Sequence, residues 1–265
     1  MGSSKGRASR FGIVLAAVLL SACELRSKEP RSAAARLSPE PSPPPALAPV
    51  GQATLRGRVW LHGELPALQV VAVESKPECA HLHVDAPLLW SPLAGSGGGL
   101  RDCFVHVKGM PGAKAVALTP HVTLTFQKCW LEPRVLGAQV GQDLEFANAD
   151  PFQHHANTPG VPILSGALGS GLGNQRVALR KESIPTTITC DIHPWERASL
   201  CVFSHPFWCL TDDDGSFEIR DLPPGKLTIA AWHEPFTRLV APEPVEVELR
   251  AGETTSIDFV FTLEP

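Results

Sequence analysis

Cys190-Asp-Ile-His193-Pro-Trp-Glu196 sets a thiol and an imidazole three residues apart. From a tight turn between two strands, such a pair can close on one soft metal ion. A second imidazole must come from elsewhere. The stretch Asn148-Ala-Asp-Pro-Phe-Gln-His154-His155 offers one, at the end of the alternating segment 142–148. His154 is the candidate and His155 its competitor, because adjacent residues on a strand face opposite sides. Two His and one Cys, with a weak fourth group, make up the ligand set of trigonal copper electron-transfer sites. Taken singly, each residue has a plainer use. A lone Cys in an exported chain is a disulfide half, and a lone His in such a stretch is a turn residue. Their joint occurrence favours the metal.

Other chemistries are poorly served. A dinuclear copper site requires two Cys in the loop, and only Cys190 is there. Multicopper oxidases and nitrite reductases use His flanking the Cys, whereas Cys190 lies between Thr189 and Asp191. One mononuclear site without a turnover centre is expected, hence no enzyme. No Gly-x-Ser-x-Gly, His-Glu-x-x-His or paired catalytic carboxylates stand out. The Gly-rich stretches 95–99 and 157–174 read as long loops, with no Gly-Lys-Ser/Thr to cradle phosphate. Asp212–Asp214 reads as a turn, since no Glu follows at calcium-loop spacing. His62, His81, His83, His106 and His121 are scattered. His205 and His233 flank a candidate boundary and are expected to make polar contacts across it.

The elements that must position these groups are strands. Period-two segments run over 53–60, 69–74, 102–108, 121–127, 142–148, 184–190, 197–203, 226–232, 244–249 and 254–261, with Gly, Pro and Asp between. This pattern predicts antiparallel strands in a β-sandwich, an all-β chain. The 22 Gly and 26 Pro fit a turn-rich fold, and 43% hydrophobic residues supply a core. The formal charge of −4, with no basic block after the N-terminus, leaves no footprint for nucleic acid.

The combination Gly141-Gln142, Asn148-x-Asp150, His154 and Cys190-x-x-His193-Pro-Trp resembles the cupredoxins, its ligand loop that of amicyanin. The resemblance is strongest over about 120–205 and implies a Greek-key β-sandwich with His154, Cys190 and His193 as ligands of a single copper. Glu196 stands where that loop carries its axial Met. A carboxylate there is harder and charged, so it favours Cu(II) over Cu(I). Asp214-Gly215 and Pro224-Gly225 punctuate a stretch from 211 that resembles a carboxypeptidase regulatory-like, prealbumin-like β-sandwich. The pair of modules is similar to bacterial exported proteins labelled methylamine utilization proteins. The expected domains are a cupredoxin-like unit at 51–208 and the smaller sandwich at 209–265. Of seven Cys, Cys79, Cys103, Cys129, Cys201 and Cys209 remain after Cys23 and Cys190. Five is odd, so at most two disulfides form. The resemblance suggests Cys79 with Cys129.

Lys5, Arg7 and Arg10 precede an apolar run from Phe11 to Ala22, a signal-peptide pattern too short to span a membrane. Leu20-Ser21-Ala22-Cys23 resembles the lipobox of bacterial lipoproteins, which implies cleavage of 1–22 and lipidation of Cys23. Residues 23–50 are Pro-rich and read as an extended linker. A lipid-anchored protein at the cell envelope, outer membrane or periplasmic face, is expected, with an unidentified redox protein as partner. The alternative is a non-metal surface lipoprotein whose sandwiches bind carbohydrate or protein.

Overall fold

The computed structural model describes residues 53–63, 70, 71, 73–83, 97–110, 119–158, 165–169, 173–235 and 239–264. All belong to one compact unit, Leu47–Pro265. The signal peptide, Cys23 and the linker lie outside the described residues.

Chain order runs β1 (Ala53–His62), β2 (Phe104–Val107), β3 (His121–Gln127), β4 (Trp130–Glu132), β5 (Val135–Gln139) and β6 (Asp143–Asn148). It continues with β7 (His154–Asn157), β8 (Ser165–Leu168), β9 (Gln175–Ala178), β10 (Ser183–Cys190), β11 (Arg197–Phe203) and β12 (Trp208–Leu210). The remaining strands are β13 (Ser216–Leu222), β14 (Gly225–Trp232), β15 (Leu239–Val240), β16 (Val245–Leu249), β17 (Thr254–Ser256) and β18 (Phe259–Leu263). A short helix, α1 (Pro77–Ala80), lies between β1 and β2. The protein is all-β, as the alternation predicts.

The strands form four sheets among the described residues. Two run β5-β11-β10-β7-β8 and β4-β3-β6-β9. Between them lies a core of Leu124, Phe126, Leu144, Phe146, Ile188 and Leu200. The other two run β13-β1-β18-β15, with β17 also on β1, and β12-β2-β14-β16. Their core holds Leu55, Val59, Val105, Ile229, Phe259 and Phe261.

The pairing corrects two expectations. Three of the four sheets are mixed, for β3 pairs β6, β5 pairs β11 and β1 pairs β18 in parallel, while β12-β2-β14-β16 is antiparallel throughout. Alternation reports one buried face and not strand direction. Second, the division at 208/209 does not follow the sheets. β1, upstream of it, pairs with β13 and β18, and β2 pairs with β12 and β14. The first sandwich is therefore built from both ends of the unit, and β3–β11 form the second sandwich between β2 and β12. The chain leaves and re-enters at adjacent points, where Val107 N donates to Phe207 O at 3.1 Å and His205 Nε2 meets Val107 O at 2.9 Å.

Phe104, Val135, Cys201 and Phe203 form a further apolar cluster, with Trp208 and Trp232 against it. It joins the two sandwiches along β2 and β11, which are buried on both faces. At Gly137 on β5 an added Cβ would sit 2.3 Å from the Trp208 ring, so only glycine fits there. Segment 69–74 was expected as a strand. Among its described residues Val73 opens a 3-10 turn, Val73–Ser75, leading into α1.

Candidate metal centre

β10 delivers Cys190 at its last position, and the following turn is closed by the main chain. Cys190 N donates to Glu196 O at 3.1 Å, and Glu196 N donates to His193 O at 3.0 Å. With Thr189 paired to Arg197 just before, Cys190 and Glu196 stand opposite each other and share the core-facing side. His193 sits within the turn. β7 pairs with β10, Cys190 opposite Ala156, and alternates His154 and Ala156 inward. His155 faces out and meets Asp191 at 2.7 Å. Strand phase thereby brings His154, and not His155, to the side of Cys190 and His193.

One ligand atom from each of His154, Cys190, His193 and Glu196 lies within 4.8 Å of the others. His154 Nδ1 is 2.9 Å and His193 Nδ1 3.4 Å from Glu196 Oε2. Cys190 Sγ lies 3.6 Å from His193 Nδ1 and accepts from the His155 amide. Both imidazoles and the carboxylate are fully buried. Phe126 stacks on His154 with centroids 4.5 Å apart, and Phe152 and Trp195 complete an aromatic casing.

Burial opposes charge on both imidazoles. The Cys190 sulfur and the Glu196 carboxylate overcome it and push His154 and His193 up to about 9. Burial likewise opposes ionisation of Cys190 and Glu196, and their contacts with the two imidazoles hold both below their usual ranges. Without a metal the two imidazoles hold their protons against the sulfur and the carboxylate. A metal would replace the imidazolium protons.

The donors fit a copper ion. Sulfur, two nitrogens and one oxygen converge among buried side chains, which is a borderline-soft set. Glu196 Oε1 is buried without a hydrogen-bond partner among the described residues. Such an atom ordinarily costs about 1–3 kcal/mol or more, and a cation would satisfy it.

Asp150 belongs to the Asn148-x-Asp150 motif, and the structure places it against His154. Its Oδ2 meets His154 Nε2 at 3.1 Å, while its two oxygens accept from the amides of Lys128 and Cys129 at 2.6 and 2.9 Å. An imidazole that donates Nε2–H to a carboxylate presents Nδ1 as its free lone pair. The four-residue spacing of Asp150 and His154 was the available signal. Cys79 and Cys129 form a disulfide, and α1 brings Glu78 Oε1 to 3.7 Å from His193 Nε2. Cys103, Cys190, Cys201 and Cys209 are free thiols, and Cys23 lies outside the described residues.

No protein-family model and no curated protein matches the chain. Among solved structures it is similar to a copper-containing nitrite reductase from Thermus scotoductus SA-01, at 28% identity over 36% of this chain and 25% of that one, with a TM-score of 0.29. The chain thus spans about a quarter of that reductase. It is also similar to amicyanin from Paracoccus versutus, at 14% identity over 37% of this chain and 96% of that one (TM-score 0.28). A purple cupredoxin from Nitrosopumilus maritimus shows 16% identity over 30% of this chain and 97% of that one (TM-score 0.28).

Proposed function

We propose that this protein holds one copper ion on His154, Cys190, His193 and Glu196 and acts outside the cytoplasm in single-electron transfer or copper handling. The observation that carries the reading is the convergence of these four side chains, buried and within 4.8 Å of one another. Copper bound there supplies a one-electron Cu(II)/Cu(I) couple. The chain does the rest. Asp150 holds the His154 ring by Nε2 and aims Nδ1 inward. The His155 amide donates to the Cys190 sulfur, which steadies a thiolate. Phe126, Phe152 and Trp195 flank the two imidazoles and limit water, so little solvent has to reorganise.

No substrate-turnover centre belongs to this reading, because Thr189 and Asp191 occupy the positions beside Cys190. The lipobox-like Leu20–Cys23 and the Pro-rich stretch after it support a lipid-anchored protein on a tether, exchanging electrons with a redox protein. Mass spectrometry of the native N-terminus tests the anchor: a free thiol at Cys23 removes it. For the centre, the purified chain is loaded with Cu(II) and its metal content and absorption are measured. One equivalent and a thiolate charge-transfer band are expected, and both are lost in Cys190→Ser. If the wild type takes up no copper, the surface-binding reading replaces this one.

A further inference from the structure

The four-donor centre is buried on every ligand, so an ion must reach it past something. Beside His193 lies a second group of metal-binding atoms. The sulfurs of Cys79 and Cys129 and one His193 ring nitrogen lie within 4.8 Å of one another, all three residues buried. Joined as a disulfide, the sulfurs are closed to a metal. Reduced, they would be two soft donors beside an imidazole.

Both cysteines are positioned by contacts independent of the disulfide. Cys129 sits in the turn between β3 and β4, where Lys128 and Cys129 adopt φ of 51° and 57°. Two successive non-glycine residues in the left-handed region are costly and persist only where surrounding contacts enforce them. Here Asp150 accepts from both amides, and Trp195 Nε1 donates to Cys129 O at 3.0 Å. Cys79 is fixed on α1, which packs with Val71, Val73, Leu82 and Trp130. The His193 ring has two sides. Its Nδ1 faces Cys190 and Glu196, while its buried Nε2 has no hydrogen-bond partner among the described residues and lies 3.7 Å from Glu78 Oε1 of α1.

We propose that Cys79 and Cys129, once reduced, join His193 as a port that binds Cu(I) beside the buried centre and passes it inward through His193. The inference rests on the copper reading above. A dithiol reductant supplies two electrons and two protons, the Sγ–Sγ bond breaks to give two thiols, and the reductant becomes a disulfide. Each thiol loses its proton as it binds the metal, and the copper stays Cu(I) throughout. Two sulfurs and one nitrogen suit Cu(I), whereas the carboxylate-containing inner set suits Cu(II). Entry as Cu(I) therefore fits the outer donor set, and the inner set holds the ion more firmly once the redox partner has taken one electron from it, a step separate from uptake.

The test is Cu(I) uptake by the full chain carrying Cys190→Ser, which disables the inner centre, titrated anaerobically against a chromophoric Cu(I) chelator. With the disulfide intact the variant is expected to take up no Cu(I) against the competitor. After reduction and removal of the reductant it is expected to take up one equivalent, lost again in C190S/C79S/C129S. The other thiols are present in every sample. Should the triple variant misfold, reduced against oxidised C190S gives the comparison without any change at Cys79 or Cys129. Equal uptake by oxidised and reduced C190S, or full uptake by a folded triple variant, overturns the port. Failure of the wild type, disulfide intact, to bind Cu(II) overturns the copper reading separately.

Discussion

At Glu196 the carboxylate touches both imidazoles and leaves one oxygen unsatisfied, so a cation at the centre draws it in. Reduction of copper held there would remove one positive charge and weaken that attraction. The oxidised state would be selectively stabilised, and each 1.4 kcal/mol of difference is roughly tenfold in the redox equilibrium. Glu196→Met is expected to raise the potential and intensify the thiolate band, read by redox titration and absorption. An unchanged spectrum and potential would show that the carboxylate is not a ligand. Asp150 acts through His154, so Asp150→Ala is expected to lower copper affinity by about 10–100-fold, read by chelator competition, with the thiolate band retained when saturated.

The metal-free cluster also makes stability depend on pH. His154 and His193 titrate near 9 when folded against a usual 6.5, so their contribution is complete below 6.5 and is lost as pH rises through 9. Cys190, depressed below its usual 9, works the other way, its contribution being lost as pH falls through its folded value. Two imidazoles outweigh one thiol, so from 6.5 to 9 the folded state binds more protons than the unfolded. Urea denaturation of the chelator-treated protein is expected to show stability falling across that window. A rise would mean that the imidazoles are not held protonated.

At the scale of elements, β5 meets the neighbouring sandwich through a glycine. A Cβ at Gly137 would lie 2.3 Å from the Trp208 ring and 2.9 Å from Phe104. Gly137→Val is expected to wedge this seam apart at a cost of about 1–3 kcal/mol, seen as a lower urea midpoint with a shift in tryptophan fluorescence. An unchanged midpoint would show that the seam yields freely. β11 explains why the seam is sensitive. Ala198, Leu200 and Val202 face one core and Cys201 and Phe203 the other, so no face is left to absorb a displacement.

For the whole molecule, the order of strands in space predicts which pieces fold. A fragment ending at 208 keeps β1 and β2 and loses β13, β14 and β18, their partners. It would expose Leu55, Val59 and Val105, and is expected to be cleaved by protease far faster than the full chain. Removing 109–204 and joining Lys108 to His205 should leave the other sandwich folded, because those ends already meet at Val107 and Phe207. Circular dichroism and limited proteolysis read both outcomes, and a well-folded fragment 51–208 would contradict the interleaved pairing.

Period-two alternation sufficed for the all-β class and for β1, β3, β6, β10, β11, β14 and β16, because one buried face writes itself into every second residue. The turn chemistry around Asp214-Gly215 was equally local: Gly215, at φ 81°, returns its amide to Asp212 O. The Cys190–His193 pair was legible from its spacing because the turn is a short-range feature, whereas Glu196 was singled out only by the resemblance, and a second imidazole at 154 or 155 stayed open. β8 lay in a stretch read as loop, where glycine removes the side chains that would show a pattern. Pairing direction, the partners of β1 and β2, the inward face of His154 against the outward face of His155 and the place of Asp150 came only from the tertiary structure. Each depends on which distant backbone lies alongside, and a strand's own residues specify its faces but not its neighbour.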